Sequence, residues 1–225
     1  MYFSVKELQK ALAMHPKEWY NDNSFSARII RLREEQKITL QEIIMIYMFL
    51  AAGFEETEAL CPLDLLRRAG LEVSTVGIGG KSVTGAHGIT VEADMTDTAY
   101  IALRDDKPDM IILPGGMPGT LNLDASDAVA YAIHTATESN AYLAAICAAP
   151  LILGRRGLLK GRRATCYPGF EDELVGALEI GGRVIRDGKI ITAVGMGAAA
   201  EFGFELISVL KDPETAGKIR EAILA

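Results

Sequence analysis

The sequence predicts an α/β fold, a three-layer sandwich with a mostly parallel central sheet, preceded by a helical N-terminal appendage. From residue 45 to 225, short apolar runs typical of buried strands alternate with segments of helical spacing. The 225 residues, 49% hydrophobic and 24% charged, are enough to bury one sizeable core. Residues 1–44 differ in kind, since amphipathic stretches and a polar loop replace the alternation.

The elements follow from hydrophobic period and flanking turns. Ile43 to Leu50 is an apolar strand, and the next segment has a helical apolar face at Ala59, Leu63 and Leu66. Asp187-Gly188 is a two-residue hairpin signal that adds a small antiparallel part. This pattern is typical of a flavodoxin-like doubly wound sheet. The predicted strands are 43–50, 72–78, 110–113, 142–146, 164–166, 183–186 and 189–194, and the predicted helices are 56–69, 125–138, 150–154, 198–210 and 213–224.

The appendage is predicted to contain two amphipathic helices, Val5 to Met14 and Phe25 to Glu35, separated by a polar loop at 21–24. The run from Arg28 to Glu42 resembles the start of a helix-turn-helix motif. A recognition helix has no room between Thr39 and the strand at Ile43, which argues against DNA binding. A docking or dimerising arm is the favoured interpretation.

Composition excludes several classes of protein. A net charge of -7 argues against a nucleic-acid partner, and the longest apolar run is too short to span a membrane. The mixed charges near the N-terminus do not resemble a signal peptide. The three cysteines, Cys61, Cys147 and Cys166, are an odd number without metal-ligand spacing, so we expect neither a disulfide framework nor a zinc site. A reducing, cytoplasmic setting fits best.

The segment around Cys147 is the most informative feature. An apolar strand must turn there into a helix that has Pro150 in its first turn. The small residues of Ala145-x-Cys147-x-Ala149 resemble a cysteine version of the nucleophile elbow. Free amides at a helix beginning at Ala148 would favour a thiolate over a thiol. A buried structural cysteine is the alternative, and the sharp corner favours the functional interpretation.

Two glycine-rich segments resemble nucleotide-binding motifs, but neither has the flanking strands and helices that such a motif requires. Gly80-Lys81-Ser82 resembles the end of a phosphate-binding loop, but Thr75 stands where its first glycine is needed. The segment 195–200 matches a dinucleotide fingerprint, yet the chain ends in helices before the required acidic strand. We interpret it as a strand-to-helix turn that borders the site.

A third glycine pair, Gly115-Gly116, follows the predicted strand 110–113. In a doubly wound sheet this turn lies at the same edge as Cys147, so the Gly116 and Ala148 amides are candidates to hold an oxyanion. The alternative is an ordinary turn.

Three glutamates, Glu55, Glu56 and Glu58, begin the helix that follows the first strand. We interpret Glu55 and Glu56 as a solvated cluster that favours the helix dipole. Glu58 lies beside the apolar face, where a partly buried carboxyl group retains its proton and can hydrogen-bond to a thiolate.

Five spaced motifs together resemble the ThiJ/PfpI superfamily, in the branch of the parkinsonism-associated protein deglycase. The resemblance covers residues 45–225 and leaves the appendage, residues 1–44, outside. The motifs are Ala51-Ala52-Gly53-Phe54-Glu55-Glu56-Thr57-Glu58-Ala59, Arg67-Arg68-Ala69-Gly70, Leu113-Pro114-Gly115-Gly116, Ala144-Ala145-Ile146-Cys147-Ala148-Ala149-Pro150 and Glu201-Phe202-Gly203-Phe204-Glu205.

The resemblance implies that Cys147 is the reactive cysteine, Glu58 the protonated glutamate bonded to its sulfur, and Gly116 and Ala148 the amides that face the substrate oxygen. Gly115 and Tyr167 are also predicted to bind the substrate. Tyr167 stands where the family often has histidine, and none of the three histidines, His15, His87 and His134, replaces it by motif. A Cys-His dyad of protease or amidotransferase type is therefore disfavoured.

The predicted function is that of a cysteine-dependent enzyme of glyoxalase III or deglycase type. It would act on small 2-oxoaldehydes with neither metal nor organic cofactor. The alternative is a redox sensor or stress-response protein in which Cys147 is oxidised without turnover. The resemblance also implies a homodimer.

Overall fold

The computed structural model describes residues 44–103 and 107–225. The predictions for the appendage, including its two helices, lie outside the described residues. The strands are β1 (Ile46–Leu50), β2 (Val73–Gly77), β3 (Ser82–Thr84), β4 (Thr90–Glu92), β5 (Met95–Thr96), β6 (Met110–Leu113), β7 (Tyr142–Ile146), β8 (Arg163–Ala164), β9 (Glu179–Ile180), β10 (Val184–Asp187) and β11 (Ile190–Ala193). The helices are α1 (Glu56–Arg68), α2 (Asp97–Ile101), α3 (Gly119–Asp124), α4 (Asp127–Glu138), α5 (Pro150–Arg155), α6 (Ala199–Leu210) and α7 (Pro213–Ala222).

Seven of these strands form the central sheet, in the order β10-β11-β7-β6-β1-β2-β5. All neighbouring pairs are parallel except β10 and β11, which form the antiparallel hairpin predicted at Asp187-Gly188. The mostly parallel α/β sheet of the sequence prediction is therefore confirmed. The predicted strand 164–166 is shorter than expected, and β8 pairs with β9 in a separate two-stranded sheet.

The sheet is buried on both faces because helices cover it from two sides. In β1, Met48 packs with α1 and α6 on one face, whereas Phe49 packs with α2 and α4 on the other. This alternation is the period of two that a strand imposes on its side chains. The result is the three-layer sandwich that the sequence predicts.

Several short elements of the structure have no counterpart in the sequence prediction. They are the hairpin of β3 and β4, the short strands β5 and β9, and helices α2 and α3. Each has between two and six residues, too few to show a hydrophobic period. Within the described residues, no helix has both the length and the apolar character needed to cross a membrane.

Candidate functional site

The candidate site lies where four adjacent parallel strands end. β11, β7, β6 and β1 are neighbours in the sheet, and the turns that follow them contain Gly195, Cys147, Gly115 with Gly116, and the start of α1. In an open parallel sheet the carboxyl ends of neighbouring strands meet at one edge, which is where ligands bind in this architecture. The topology thus brings together residues that are far apart in sequence.

Cys147 occupies a strained turn between β7 and α5. Its φ is 64°, in the left-handed region that a side chain disfavours by roughly 1 kcal/mol or more. Two backbone hydrogen bonds hold it there: its amide donates to Ala193 O over 2.8 Å, and Tyr167 N donates to its carbonyl over 2.8 Å. The predicted elbow is therefore present in the backbone. Helix α5 begins at Pro150, the first residue of the predicted helix 150–154, so Ala148 lies in the turn before it.

Glu58 lies in the first turn of α1 and is only 1% exposed. The Gly115 amide donates to its Oε2 over 3.1 Å, and the Met196 amide also donates to this carboxyl group. The same carboxyl group is hydrogen-bonded to the Cys147 side chain. Sequence reasoning placed Glu58 beside the apolar face of α1, and the structure brings it into contact with the cysteine.

The sulfur of Cys147 also accepts hydrogen bonds from the amides of Gly116 and Ala148. Glycine is required at 115, because a Cβ atom there would lie 2.5 Å from Glu58 Oε2 and 2.6 Å from Cys147 Cβ. Gly116 has a φ of 88° and packs against the backbone of Glu55. The two amides predicted as an oxyanion site therefore converge on the Cys147 sulfur.

Burial raises the pKa of Glu58 to about 7, and the nearby Glu55 charge adds to the effect. Hydrogen bonds from Cys147 and from the Gly115 and Met196 amides oppose it without cancelling it. The expectation of a carboxyl group that keeps its proton well above the usual range thus agrees with its environment.

Burial also raises the pKa of Cys147, to about 12, and the charge and hydrogen bond of Glu58 add to that rise. The sequence analysis expected free amides at the turn to lower this pKa. The Ala148 and Gly116 amides do act in that direction, but the desolvation of the sulfur and the adjacent carboxylate outweigh them. The expectation of an independently acidic thiol is therefore wrong.

Cys147 and Glu58 are better described as one titrating pair. Near pH 7 the pair loses one proton, and it retains the second until much higher pH. A hydrogen bond joins the sulfur to the carboxyl group, so the remaining proton lies between two groups in direct contact. The amides of Gly116 and Ala148 favour a negative sulfur, whereas the amides of Gly115 and Met196 favour a negative Glu58 carboxylate.

Glu56 was expected to be a solvated helix-start residue, and this is wrong. Its side chain is buried beneath the turn between β3 and β4, where it accepts hydrogen bonds from His87 N over 2.7 Å and from Ile89 N over 3.4 Å. His87 Nδ1 lies 2.8 Å from Glu56 Oε2. Glu55 caps α1 instead, its Oε2 accepting from Glu58 N over 2.6 Å.

Among the described residues, Glu55, Glu56 and His87 offer ligand atoms within 4.8 Å of one another. These atoms already bond within the protein: Glu56 binds the turn at His87, and Glu55 binds the amide of Glu58. The group therefore braces the start of α1, and we assign no metal to it.

Tyr167 stands at the mouth of the site with 51% of its surface exposed. A Cβ atom at Gly195 would lie 3.3 Å from Tyr167 Cδ2, 3.7 Å from Glu58 Oε1 and 3.8 Å from Cys147 Sγ. The absent side chain at Gly195 thus leaves space bounded by the ring, the carboxyl group and the sulfur. The sequence had indicated that the 195–200 turn borders the site, but it missed the Met196 amide as a partner of Glu58.

Comparison with known proteins agrees with this geometry. The model of the DJ-1/PfpI family matches residues 45–209. The chain is 32% identical over 180 residues to Protein dj-1beta of Drosophila melanogaster, covering 79% of this chain and 95% of that protein. It is 32% identical over 165 residues to Glutathione-independent glyoxalase DJR-1.2 of Caenorhabditis elegans, covering 71% of this chain and 84% of that protein.

Among solved structures, oxidized Toxoplasma gondii DJ-1 superposes with a TM-score of 0.76 at 36% sequence identity. The match covers 80% of this chain and 98% of the Toxoplasma chain. The family match spans all seven strands of the central sheet, the elbow at Cys147 and the start of α1 at Glu58. The chain therefore belongs to the DJ-1/PfpI family.

Proposed function

We propose that the protein is a cysteine-dependent enzyme that converts small 2-oxoaldehydes, such as methylglyoxal, into 2-hydroxy acids without a metal or organic cofactor. The observation that supports this best is the joint environment of the Cys147 sulfur. It is hydrogen-bonded to a buried carboxyl group with a pKa near 7 and faces two backbone amides. A nucleophile, a proton carrier and oxyanion donors are the groups that such a reaction needs.

In the first step the Cys147 sulfur attacks the aldehyde carbon, forming a C–S bond while the carbonyl electron pair moves to oxygen. The amides of Gly116 and Ala148 stabilise this oxyanion, and Glu58 supplies the proton that neutralises it. The product is a hemithioacetal bound to the enzyme. Pairing of Cys147 with Glu58 makes this step possible near neutral pH, since one proton remains in the pair.

In the second step the Glu58 carboxylate removes the hydrogen from the former aldehyde carbon and returns a proton to the neighbouring carbon, while the hydroxyl proton on the former aldehyde carbon passes to the former ketone oxygen. The aldehyde carbon is oxidised to a thioester while the ketone carbon is reduced to an alcohol. Water then attacks the thioester, the C–S bond breaks, and the sulfur leaves with its electron pair. The balance is one aldehyde plus one water to one hydroxy acid, with no external oxidant or reductant.

Tyr167 stands where the family often has a histidine, so this position offers no imidazole to act as a general base. A phenol does not take up and release protons near neutral pH in the way that the imidazole of a histidine does. A peptidase mechanism, which needs a base to activate the cysteine and an acid for the leaving amine, is therefore disfavoured. The name of the Caenorhabditis elegans relative, a glutathione-independent glyoxalase, agrees with the aldehyde proposal.

The test is formation of lactate from methylglyoxal by the purified full-length chain. Cys147→Ala should reduce kcat/KM to the background rate, because it removes the nucleophile. Cys61→Ala and Cys166→Ala are matched controls, since each removes a free thiol outside the turn that holds Cys147. Lactate formation that survives Cys147→Ala, or equal losses in all three variants, would contradict the proposal.

A second candidate function is redox sensing. The Toxoplasma gondii DJ-1 structure is that of an oxidized protein, and in the present chain a protonated Glu58 would donate a hydrogen bond to an oxygen on an oxidised Cys147. Mass spectrometry after mild peroxide should then show selective oxidation at Cys147 over Cys61 and Cys166. Uniform oxidation of the three cysteines would remove this alternative.

The resemblance also supports proposals about assembly and location. We propose a homodimer in a reducing, cytoplasmic setting, with no nucleic-acid partner. Light scattering of the full-length chain tests the first point, and a monomer at micromolar concentration would contradict it.

A further inference from the structure

The two amides that donate to the Cys147 sulfur lie on separate segments, and each segment leads into a short helix. Gly116 comes before α3, and the first turn of α3 is bonded back to it, since Thr120 N donates to Gly116 O over 2.8 Å. Ala148 comes before α5, where Leu151 N donates to Ala148 O over 3.0 Å. The position of each amide is therefore coupled to the position of the helix that follows it.

The placement of α3 and α5 depends on tertiary contacts. Each helix has six residues, and within the described part of the chain no side chain caps the N-terminus of either one. Helices this short are marginal in isolation. Their C-terminal ends meet, because Asp124 is the last residue of α3, Arg155 is the last residue of α5, and Arg156 follows it.

An ion-pair network joins these two helix ends. The Asp124 carboxylate accepts hydrogen bonds from Arg155 Nη1 over 2.9 Å and from Arg156 Nη1. Arg156 also donates to a carbonyl in the last turn of each helix, Ile152 O and Asp124 O, over 3.0 Å in both cases. Arg155 binds the Glu173 carboxylate through two parallel hydrogen bonds of 2.8 and 2.7 Å. The network thus ties α3 to α5 at the ends opposite to those that follow the two amides.

This network differs from isolated ion pairs on a protein surface, which contribute little to stability. Only 18% of the Asp124 side chain is exposed, and two adjacent guanidinium groups share its carboxylate. Burial would raise the pKa of Asp124, but the hydrogen bonds from Arg156 and Arg155 outweigh burial and lower it. Removing the charge of Asp124 would leave two half-buried guanidinium groups without this partner.

The network reaches a third segment of the site through Glu173. This residue ends a short 3₁₀ turn, and its amide donates to Phe170 O over 3.1 Å. The Phe170 amide donates to Tyr167 O over 3.2 Å, and the Tyr167 amide donates to the carbonyl of Cys147 over 2.8 Å. Glycine at 154 lets this turn approach α5, since a Cβ atom there would lie 2.1 Å from Glu173 O. Three segments around the sulfur are therefore tied to the same pair of arginines.

We propose that Asp124 is a positioning residue, which fixes the spacing between the amides of Gly116 and Ala148 by tying α3 to α5. The inference rests on the proposed function, in which the same amides stabilise the oxyanion. Asp124 acts through the backbone, because α3 separates it from the Gly116 turn by about 9 Å at 1.5 Å per residue. Spacing matters because a misplacement of about 1 Å can cost about a hundredfold in rate.

The test is Asp124→Asn in the full-length chain, with the pH dependence of Cys147 alkylation by iodoacetamide as the first readout. If the two amides move away from the sulfur, they stabilise its negative form less, so the midpoint of alkylation should shift to higher pH. Loss of a negative charge that acts through space would shift the midpoint to lower pH. The sign of the shift therefore distinguishes positioning from a direct effect of charge.

The second readout is lactate formation from methylglyoxal. Asp124→Asn should lower kcat about tenfold and keep KM within about twofold, because displaced amides stabilise the transition state less. Asp187→Asn is the matched control. Asp187 also pairs with two adjacent arginines, Arg162 and Arg163, but it lies at the opposite edge of the sheet, beside the start of β11. The control should keep the wild-type midpoint and kcat.

Arg155→Lys decides the question if Asp124→Asn does not fold. It keeps the positive charge and loses the two-pronged contact with Glu173, so it should shift the midpoint to higher pH by a smaller amount. An unchanged midpoint and kcat in the folded variant, a shift to lower pH, or equal effects in Asp187→Asn would overturn the proposal. A higher midpoint in Asp124→Asn, combined with no lactate formation by the wild type, would contradict the proposed function and still support positioning by Asp124.

Discussion

Glu56 and Glu58 are two residues apart in the first turn of α1, and both are buried. Their environments nevertheless shift the pKa of the two carboxyl groups in opposite directions. Burial alone would raise the pKa of each carboxyl group. At Glu56, hydrogen bonds from the His87 side chain and backbone and from Ile89 outweigh burial and lower the pKa. At Glu58, burial and the Glu55 charge outweigh three hydrogen bonds and raise the pKa to about 7.

The difference shows that burial alone does not identify a functional carboxyl group. Glu56 is ionised and holds the turn between β3 and β4 against α1, which is a structural role. Glu58 is poised between its two protonation states and touches a sulfur atom, which is what proton transfer requires. The hydrogen-bond donors supplied by neighbouring turns decide which carboxyl group is ionised and which one keeps its proton to higher pH.

The largest expected difference between the two residues is in activity. Glu58→Gln should lower kcat/KM for methylglyoxal by about a hundredfold or more, since it removes the proton carrier and keeps the size of the side chain. Glu56→Gln should retain most of the activity and lower the melting temperature, because it weakens the brace on the turn. Steady-state kinetics and thermal melts of both variants measure this. A similar activity loss in both would show that the two carboxyl groups are not functionally distinct.

The second expected difference is the pH dependence of stability. The unfolded chain releases the Glu58 proton near pH 4.5, whereas the folded protein holds it to about pH 7. Unfolding between these values releases a proton, so the free energy of unfolding falls as pH rises from 4.5 to 7, by up to about 3 kcal/mol. Glu58→Gln should remove this slope in urea titrations from pH 4.5 to 8.

Glu56 should show the opposite sign. Its pKa in the folded state is lowered from the usual 4.5, so its contribution to stability is present above that value and is lost as pH falls below it. Glu56→Gln should therefore weaken the loss of stability in acid. If Glu56→Gln and Glu58→Gln changed the free energy of unfolding over the same pH range, the assignment of opposite pKa shifts to the two residues would be wrong.

The sequence identified Glu58 and missed the role of Glu56, for a physical reason. The position of Glu58 beside the apolar face follows from helical periodicity, which is local. The partners of Glu56 lie 31 to 33 residues away, in a hairpin whose strands have three residues each. Such a contact depends on tertiary packing, so no local pattern indicates it.

The elbow at Cys147 shows the same boundary between local and tertiary information. Small residues around a strand-to-helix corner predict a cysteine with unusual backbone geometry, and its φ of 64° agrees. The direction in which the pKa of Cys147 shifts could not be predicted from the start of the helix alone. That direction depends on how fully the sulfur is buried and on the neighbouring carboxyl group, and both depend on how α1, β6 and β7 pack together.

The smallest expected effect concerns Glu55, the residue that precedes the compared pair. Its charge raises the pKa of Glu58, while its Oε2 accepts the Glu58 amide proton as the cap of α1. Glu55→Gln removes the charge and keeps an oxygen acceptor for the cap. The pKa of Glu58 should therefore fall, and the rise of kcat/KM with pH that accompanies the first deprotonation of the Cys147–Glu58 pair should move to lower pH.

Steady-state kinetics from pH 5 to 9 measure this shift. The matched control is Asp64→Asn, which removes a charge on the exposed side of α1. An equal shift in both variants would mean that the overall charge of the helix acts on the pair. A shift confined to Glu55→Gln would show that this carboxylate in particular helps Glu58 to keep its proton.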